Sequence, residues 1–244
     1  MTKIACILTS YNKGEWVGKA IQSVLDQDFE DWVLFIADDN SNEKTREVIK
    51  SFSDPRIILY QSNVAEEERY KICRYAYLIN IGINSTNSDY ITYITDDVIY
   101  YEDRFSTFSQ FLDNNPDKHV CYGEQGVCSI DKNGQKIRLE GNHFNQDTFT
   151  PSGYIDHSSV MHRRSILKET GLWPTGPEVW ACADSWFFHY VIKAGYKFYF
   201  VPGVYEEQYR LPTSLRVEKE RRTGLYKIPW ELERLPYENP SNGS

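Results

Sequence analysis

Two adjacent carboxylates, Asp96 and Asp97, end a β-branched and aromatic run, Asp89-Tyr90-Ile91-Thr92-Tyr93-Ile94-Thr95. Such a run makes a buried strand. A buried strand that ends in acids delivers them to the crevice beyond the strand ends, where open α/β sheets bind ligands. Side-by-side carboxylates repel each other and resist desolvation, so they need a cation or hydrogen-bond donors nearby. Hard divalent ions take oxygen ligands, and Mg2+ commonly binds through one or two carboxylates plus substrate phosphates. An isolated Asp-Asp would be ordinary turn chemistry, but two further strand ends carry groups of a matching kind. Thr9-Ser10-Tyr11-Asn12-Lys13-Gly14 follows the apolar run Lys3-Ile4-Ala5-Cys6-Ile7-Leu8, and Asp38-Asp39-Asn40-Ser41 follows Trp32-Val33-Leu34-Phe35-Ile36-Ala37. An aromatic ring, an acid able to accept from a base or ribose, and an acid pair able to hold a metal together suit a nucleoside diphosphate.

The elements that must position these groups alternate between strand and helix. An amphipathic helix with Trp16-Val17, Ala20-Ile21 and Val24-Leu25 at helical spacing follows the first strand. A helix from about Glu43 to Phe52 leads to a third strand, Arg56 to Tyr60. A helix between Ala65 and Asn84 has Ile72, Tyr75, Ala76, Ile79 and Ile83 on one face, with Arg69, Lys71 and Arg74 on or beside its exposed part. Another runs from about Tyr101 to Asp113. This order predicts a doubly wound, Rossmann-like, mostly parallel sheet flanked by helices, with the three polar strand ends opening on one edge. Residues 1–100 are expected to form a nucleotide-binding-type half and 101–222 the second half of the same domain, with 223–244 as a C-terminal tail.

Beyond residue 100 the pattern loosens. Val120 to Ile130 and Gln135 to Glu140 resemble strands joined by the hairpin signal Asp131-Lys132-Asn133-Gly134. Tyr154 to His162 alternates as a strand, which would put His157 and His162 on opposite faces, unable to share a metal. Either histidine could line a pocket, although a satisfied structural role is the commoner outcome. Trp173 and Trp180 flank a turn-rich loop and could be a sugar platform, a lid or packing. Arg164 to Thr170 reads as a short helix that ends at Gly171. Asp184 opens a helix through Ala194, where capping and the helix dipole alone explain an acid. From Glu206 onward the chain is charged and Pro-interrupted and is expected to be mobile.

Composition excludes several classes. The 244 residues are 41% apolar and 25% charged, as in an ordinary globular protein. A net charge of −8 argues against a nucleic-acid or anionic-membrane surface, so an anionic substrate needs local cations or a metal. The five cysteines lack C-x-x-C spacing, which indicates neither a zinc site nor a disulfide framework. The run Ile4 to Leu8 is too short for a signal peptide, and no apolar stretch is long enough to span a bilayer, so a cytoplasmic location is expected. Neither a G-x-x-x-x-G-K-[ST] loop nor a G-x-G-x-x-G fingerprint is present.

Taken in order, Thr9-Ser10-Tyr11-Asn12-Lys13, Tyr90-Ile91-Thr92-Tyr93, Thr95-Asp96-Asp97, Ile155-Asp156-His157 and Met161-His162-Arg163 are similar to the family 2 inverting glycosyltransferases of GT-A fold, the spore-coat polysaccharide enzymes among them. The resemblance implies a GT-A fold with an acceptor-binding sub-lobe in the second half. It implies that Tyr11 stacks on a pyrimidine with Thr9 beside it, and that Asp39 hydrogen-bonds the base. Arg74 would approach base or diphosphate, Asp96 the ribose or the metal shell, and Asp97 would ligate Mn2+ or Mg2+. Asp184 would be the catalytic base, with His157 and Trp180 as acceptor-pocket candidates. The donor would be a UDP- or dTDP-sugar and the acceptor a saccharide or other hydroxyl, in surface or spore-coat polysaccharide synthesis. Two departures stand out. Ile79, not Arg, precedes Asn80-Ile81-Gly82, leaving the Arg role to Arg74. The Q-x-x-R-W motif and membrane helices of processive relatives are absent, which favours addition of one sugar. A sugar-nucleotide nucleotidyltransferase would need a Gly-rich first loop that Tyr11-Asn12-Lys13-Gly14 does not supply. A non-catalytic nucleotide-sugar-binding subunit of a synthesis complex is the remaining alternative.

Overall fold

A computed structural model describes residues 2–130, 135–142, 144–180 and 182–210. The first half follows the expected alternation: β1 (Thr2–Ser10), α1 (Glu15–Leu25), β2 (Trp32–Asp38), α2 (Glu43–Lys50), β3 (Ile57–Gln61), α3 (Arg74–Ser85) and β4 (Ser88–Thr95). These four strands pair in parallel in the order β3-β2-β1-β4. The second half adds β5 (Val98–Tyr100), α4 (Arg104–Asn114), β6 (Val120–Ile130), β7 (Lys136–Asn142), β8 (Val160–Arg163), α5 (Leu167–Thr170), α6 (Ala183–Lys193) and β9 (Phe198–Tyr209). It extends the same sheet from β4 as β8-β6-β9-β5, with β7 on β6. Pairing there is mixed: β8 is antiparallel to β4 and β6, and β9 is parallel to β6.

Successive strand residues point to opposite faces, and the core divides accordingly. Ile4, Cys6 and Leu8 pack with Val17, Ala20 and Ile21 of α1 and Phe105 and Phe108 of α4. Ile7 and Tyr93 pack on the other face with Ala76 and Ile79 of α3 and Phe187 of α6. Helix α3 lies very close to the sheet at Gly82, where an added Cβ would meet Ile7 Cγ2 at 2.8 Å and Phe35 Cδ1 at 2.9 Å. Asn80, two residues earlier, accepts from Trp173 N–H (3.0 Å) and donates to Trp173 O (2.8 Å), anchoring the loop before α6. The Asn-x-Gly segment thus serves packing. Overpacking costs about 1–3 kcal/mol against about 1 kcal/mol of helix propensity gained. Gly82→Ala should therefore lower stability by roughly 1–2 kcal/mol in a denaturant melt; an unchanged or raised midpoint would contradict this packing.

Three sequence expectations need correction. The helix between Ala65 and Asn84 begins only at Arg74, because Glu66–Glu68 forms a 3-10 turn and Arg69 is drawn inward at 4% exposure to pair with Asp39. The strand from Tyr154 exists only as Val160–Arg163. Asp156 accepts from Ser158 N–H (2.9 Å) and Oγ–H (2.7 Å), and this local side-chain bonding curls His157–Ser159 into a 3-10 turn. His157 is therefore not on the strand. His162 is the satisfied structural residue: its Nε2 is 2.7 Å from Tyr93 Oη, and burial pushes its pKa down to about 4. Glu206 and Glu207 belong to β9 and are buried, because Arg104 and Lys136 supply counter-charges. The hairpin turn 131–134 and the tail 223–244 lie outside the described residues. Among the described residues no helix is long and apolar enough to cross a membrane.

Candidate active site

The registers Thr9 with Ala37, Thr9 with Thr95 and Ser10 with Asp38 bring the carboxyl ends of β1, β2 and β4 level. Two loops are tied together there. Asn12, at φ 56°, accepts from Asn42 N–H (2.7 Å) while its own N–H donates to Ser41 Oγ (3.0 Å). Asparagine tolerates this left-handed backbone because its short side chain bonds locally. Above the loops opens a cavity of about 320 Å3, walled on the far side by the His157 turn and the start of α6. Thr9, Tyr11, Asp39, Arg74, Asp96, Asp97, His157, Trp180 and Asp184 all line it. These are the residues to which the family resemblance gives roles; the other two candidates, His162 and Trp173, are core, Trp173 packed face to face on Phe187 with centroids 4.7 Å apart.

At one end the Asp39 carboxylate is held by two arginines. Arg74 Nε donates to Oδ1 at 3.1 Å, Arg69 Nη1 donates to Oδ2 at 2.5 Å, and Ser62 Oγ donates to Oδ1 at 3.0 Å. The Arg69 guanidinium also lies 3.6 Å from the centre of the Tyr11 ring, a cation–π contact that fixes the ring beside Asp39. Its neighbour Asp38 turns away to accept from Ser41 N–H at 3.2 Å.

At the centre are the paired acids. Asp96 is 6% exposed and accepts from Tyr11 N–H at 2.8 Å. Burial, then the charge of Asp97, pushes its pKa up to about 7. Asp97 accepts from Thr95 Oγ1 at 2.7 Å and faces Lys13 Nζ at 3.6 Å. Lys13 is 9% exposed. Among the described residues no three His, Cys, Asp or Glu side chains gather into a ready-made metal cage. Two carboxylates in mutual repulsion still fit a divalent ion that completes its shell with phosphate oxygens and water.

Asp184 stands across the cavity in the first turn of α6, with a quarter of its side chain exposed. Its Oδ1 accepts from Ser185 N–H (2.8 Å), its backbone N–H donates to Tyr75 Oη (3.3 Å), and Oδ2 is 4.0 Å from His157 Nδ1. Burial raises its pKa, partly offset by His157. The arrangement can bind an anionic ligand at its centre and accept a proton opposite it. Lys13, Arg69, Tyr75 and Asp156 were not singled out from sequence. Lys13 and Arg69 sit next to motif residues, and the demand for cations in an acidic chain was the available signal.

Comparisons with known proteins identify the family and the fold. The model of the family described as Glycosyl transferase family 2 matches residues 5–171. Protein CgeD of Bacillus subtilis is 38% identical over 192 residues, 76% of this chain and 45% of that protein. The GalNAc(5)-diNAcBac-PP-undecaprenol beta-1,3-glucosyltransferase of Campylobacter jejuni is 30% identical over 138 residues, 55% of this chain and 40% of that protein. The chain thus spans less than half the length of either relative. The solved structure of S. aureus TarS 1-349 in complex with UDP-GlcNAc superposes with a TM-score of 0.67 at 13% identity, covering 87% of this chain and 60% of that one. The architecture is the GT-A fold.

Proposed function

Because this chain belongs to glycosyl transferase family 2, we propose that it moves one sugar from a UDP- or dTDP-sugar to a hydroxyl acceptor, with inversion and with a divalent metal. The observation that carries this reading is the cavity itself, which joins an arginine-held acid beside an aromatic ring, an acid pair with a buried lysine, and an isolated acid opposite. Tyr11 would stack on the pyrimidine next to Thr9, and Asp39 would accept the base N–H, its orientation fixed by Arg69 and Arg74. Asp96 would take the ribose or the metal's outer shell. Mn2+ or Mg2+ held by Asp97 with Asp96 would act as a Lewis acid on the departing diphosphate. Lys13 Nζ, already beside Asp97, would share that charge.

Asp184 would take the acceptor proton as its oxygen attacks the anomeric carbon. Burial raises its pKa, the direction that makes a carboxylate a stronger base. One base and no protein nucleophile gives a single in-line displacement. His157 and Trp180 would border the acceptor. The glucosyltransferase relative is named for a lipid-linked saccharide acceptor, which supports a saccharide of surface or spore-coat polysaccharide here.

Thermal-shift titration tests the donor half. A ligand present at 100 times its Kd adds about 2.7 kcal/mol of stability, which for a chain of this size is a shift of about 5–10 °C. UDP or dTDP with Mn2+ should produce it; GDP and ADP should not. No shift with any nucleotide would remove the proposed donor site.

A further inference from the structure

We propose that His157 is a positioning residue for Asp184, its Nδ1–H closing onto the Asp184 carboxylate to aim one oxygen at the acceptor hydroxyl. This rests on the reading of Asp184 as the base. His157 is 8% exposed, and its Nδ1 is buried without a hydrogen-bond partner. A buried polar atom left unsatisfied in a native fold needs an explanation. Two carboxylates face it, Asp156 Oδ1 at 3.5 Å and Asp184 Oδ2 at 4.0 Å. A lone pair aimed at two anions is unfavourable, so Nδ1 carries the proton. Asp156 is already committed, its Oδ1 accepting both the N–H and the hydroxyl of Ser158. Asp184 Oδ1 accepts from Ser185, which leaves Oδ2 for the imidazole.

The ring itself cannot travel. It stacks on Tyr75 at 5.8 Å and meets the edge of Trp173 at 5.6 Å. Its turn is bolted from behind: Ser158 O accepts from Arg104 Nη2 (2.6 Å) and Tyr100 Oη (3.1 Å), and the Ser159 hydroxyl donates to Glu206 Oε1 at 2.7 Å. A shift of about 1 Å by the Asp184 side chain, which is a quarter exposed to the cavity, closes the gap to hydrogen-bond length. The titratable groups facing the imidazole are Asp156 on its own turn, Asp184 from α6, and the phenols of Tyr75 from α3 and Tyr93 from β4. Arg104 and Glu206 lie behind the turn.

The test uses the full chain and follows UDP release from UDP-glucose and UDP-N-acetylglucosamine with water as acceptor. Misplacing a catalytic group by about 1 Å can cost 10²-fold. His157→Leu and His157→Gln should therefore lose about 10²-fold in kcat with little change in donor KM. His157→Asn, whose amide nitrogen replaces Nδ1, should recover to within about tenfold. Wild-type kcat in His157→Leu, an Asn variant as poor as Leu, or a loss confined to donor KM would overturn the proposal. Asp184→Asn in the same assay tests the base reading separately, since unchanged turnover there defeats that reading whatever His157 does. Long-range proton–nitrogen NMR of the imidazoles supplies a second measurement independent of turnover, the His157 signal being the one missing in His157→Asn. The proton should sit on Nδ1. A proton on Nε2 alone would also overturn it.

Discussion

Replacing Asp184 by Asn is expected to lower kcat for sugar transfer about 10²–10⁴-fold, the range a positioned general base contributes, with donor KM near wild type. The substitution keeps the shape of a side chain whose polar contacts, among the described residues, are with Ser185 N–H and His157. Its stability effect should run the opposite way to its effect on activity. Burial raises the folded-state pKa above the ordinary carboxylate value. The folded chain therefore binds this proton more tightly than the unfolded one. Its contribution to stability is full below the unfolded pKa and is lost as pH rises through the folded pKa. At neutral pH the Asn variant should thus be at least as stable as wild type. The pH–rate profile carries the same sign. Only the ionised carboxyl accepts a proton, so wild-type kcat should climb with pH through the raised pKa and level off above it. A stable Asp184→Asn variant with wild-type kcat would contradict this assignment.

Asp97→Asn should cost roughly 10²–10³-fold in kcat/KM, because several kcal/mol of Lewis-acid stabilisation at the leaving diphosphate depend on its charge. The distinguishing signature lies in binding. Without Asp97, Mn2+ should no longer enlarge the thermal shift given by UDP, while UDP alone still binds through the Tyr11 and Asp39 end. Asp97 packs against Thr95 and Lys13 at the cavity rather than within the core, so the ligand-free melting temperature should change by only a few degrees. A variant that keeps its metal-dependent shift would move the metal away from this pair.

The strand ends were legible because they are local. Thr9 to Asn12, Asp38 to Ser41 and Thr95 to Asp97 each follow an apolar run, and parallel strands of one sheet must open on a common edge. Asp184 was locatable through the family resemblance, since capping alone would explain an acid there. What escaped were contacts between distant charges. Arg69 and Glu206 were read as exposed because arginine and glutamate are rarely buried without a partner, and their partners Asp39 and Arg104 lie far off in sequence. Lys13 was seen as part of a motif, but its approach to Asp97 depends on the packing of β1 against β4. His157 was misplaced for a different reason. The alternation of Tyr154 to His162 satisfied a strand pattern, while the Asp156 side chain captured the backbone of Ser158 first.

The most direct measurement is release of nucleoside diphosphate from UDP- and dTDP-sugars by the wild-type chain with Mn2+, run beside Asp184→Asn. The account predicts release that requires the metal, is confined to pyrimidine donors and falls at least 10²-fold in the variant. Tight nucleotide binding with no release from any donor, even with saccharide acceptors supplied, would contradict it and leave a nucleotide-sugar-binding subunit in its place.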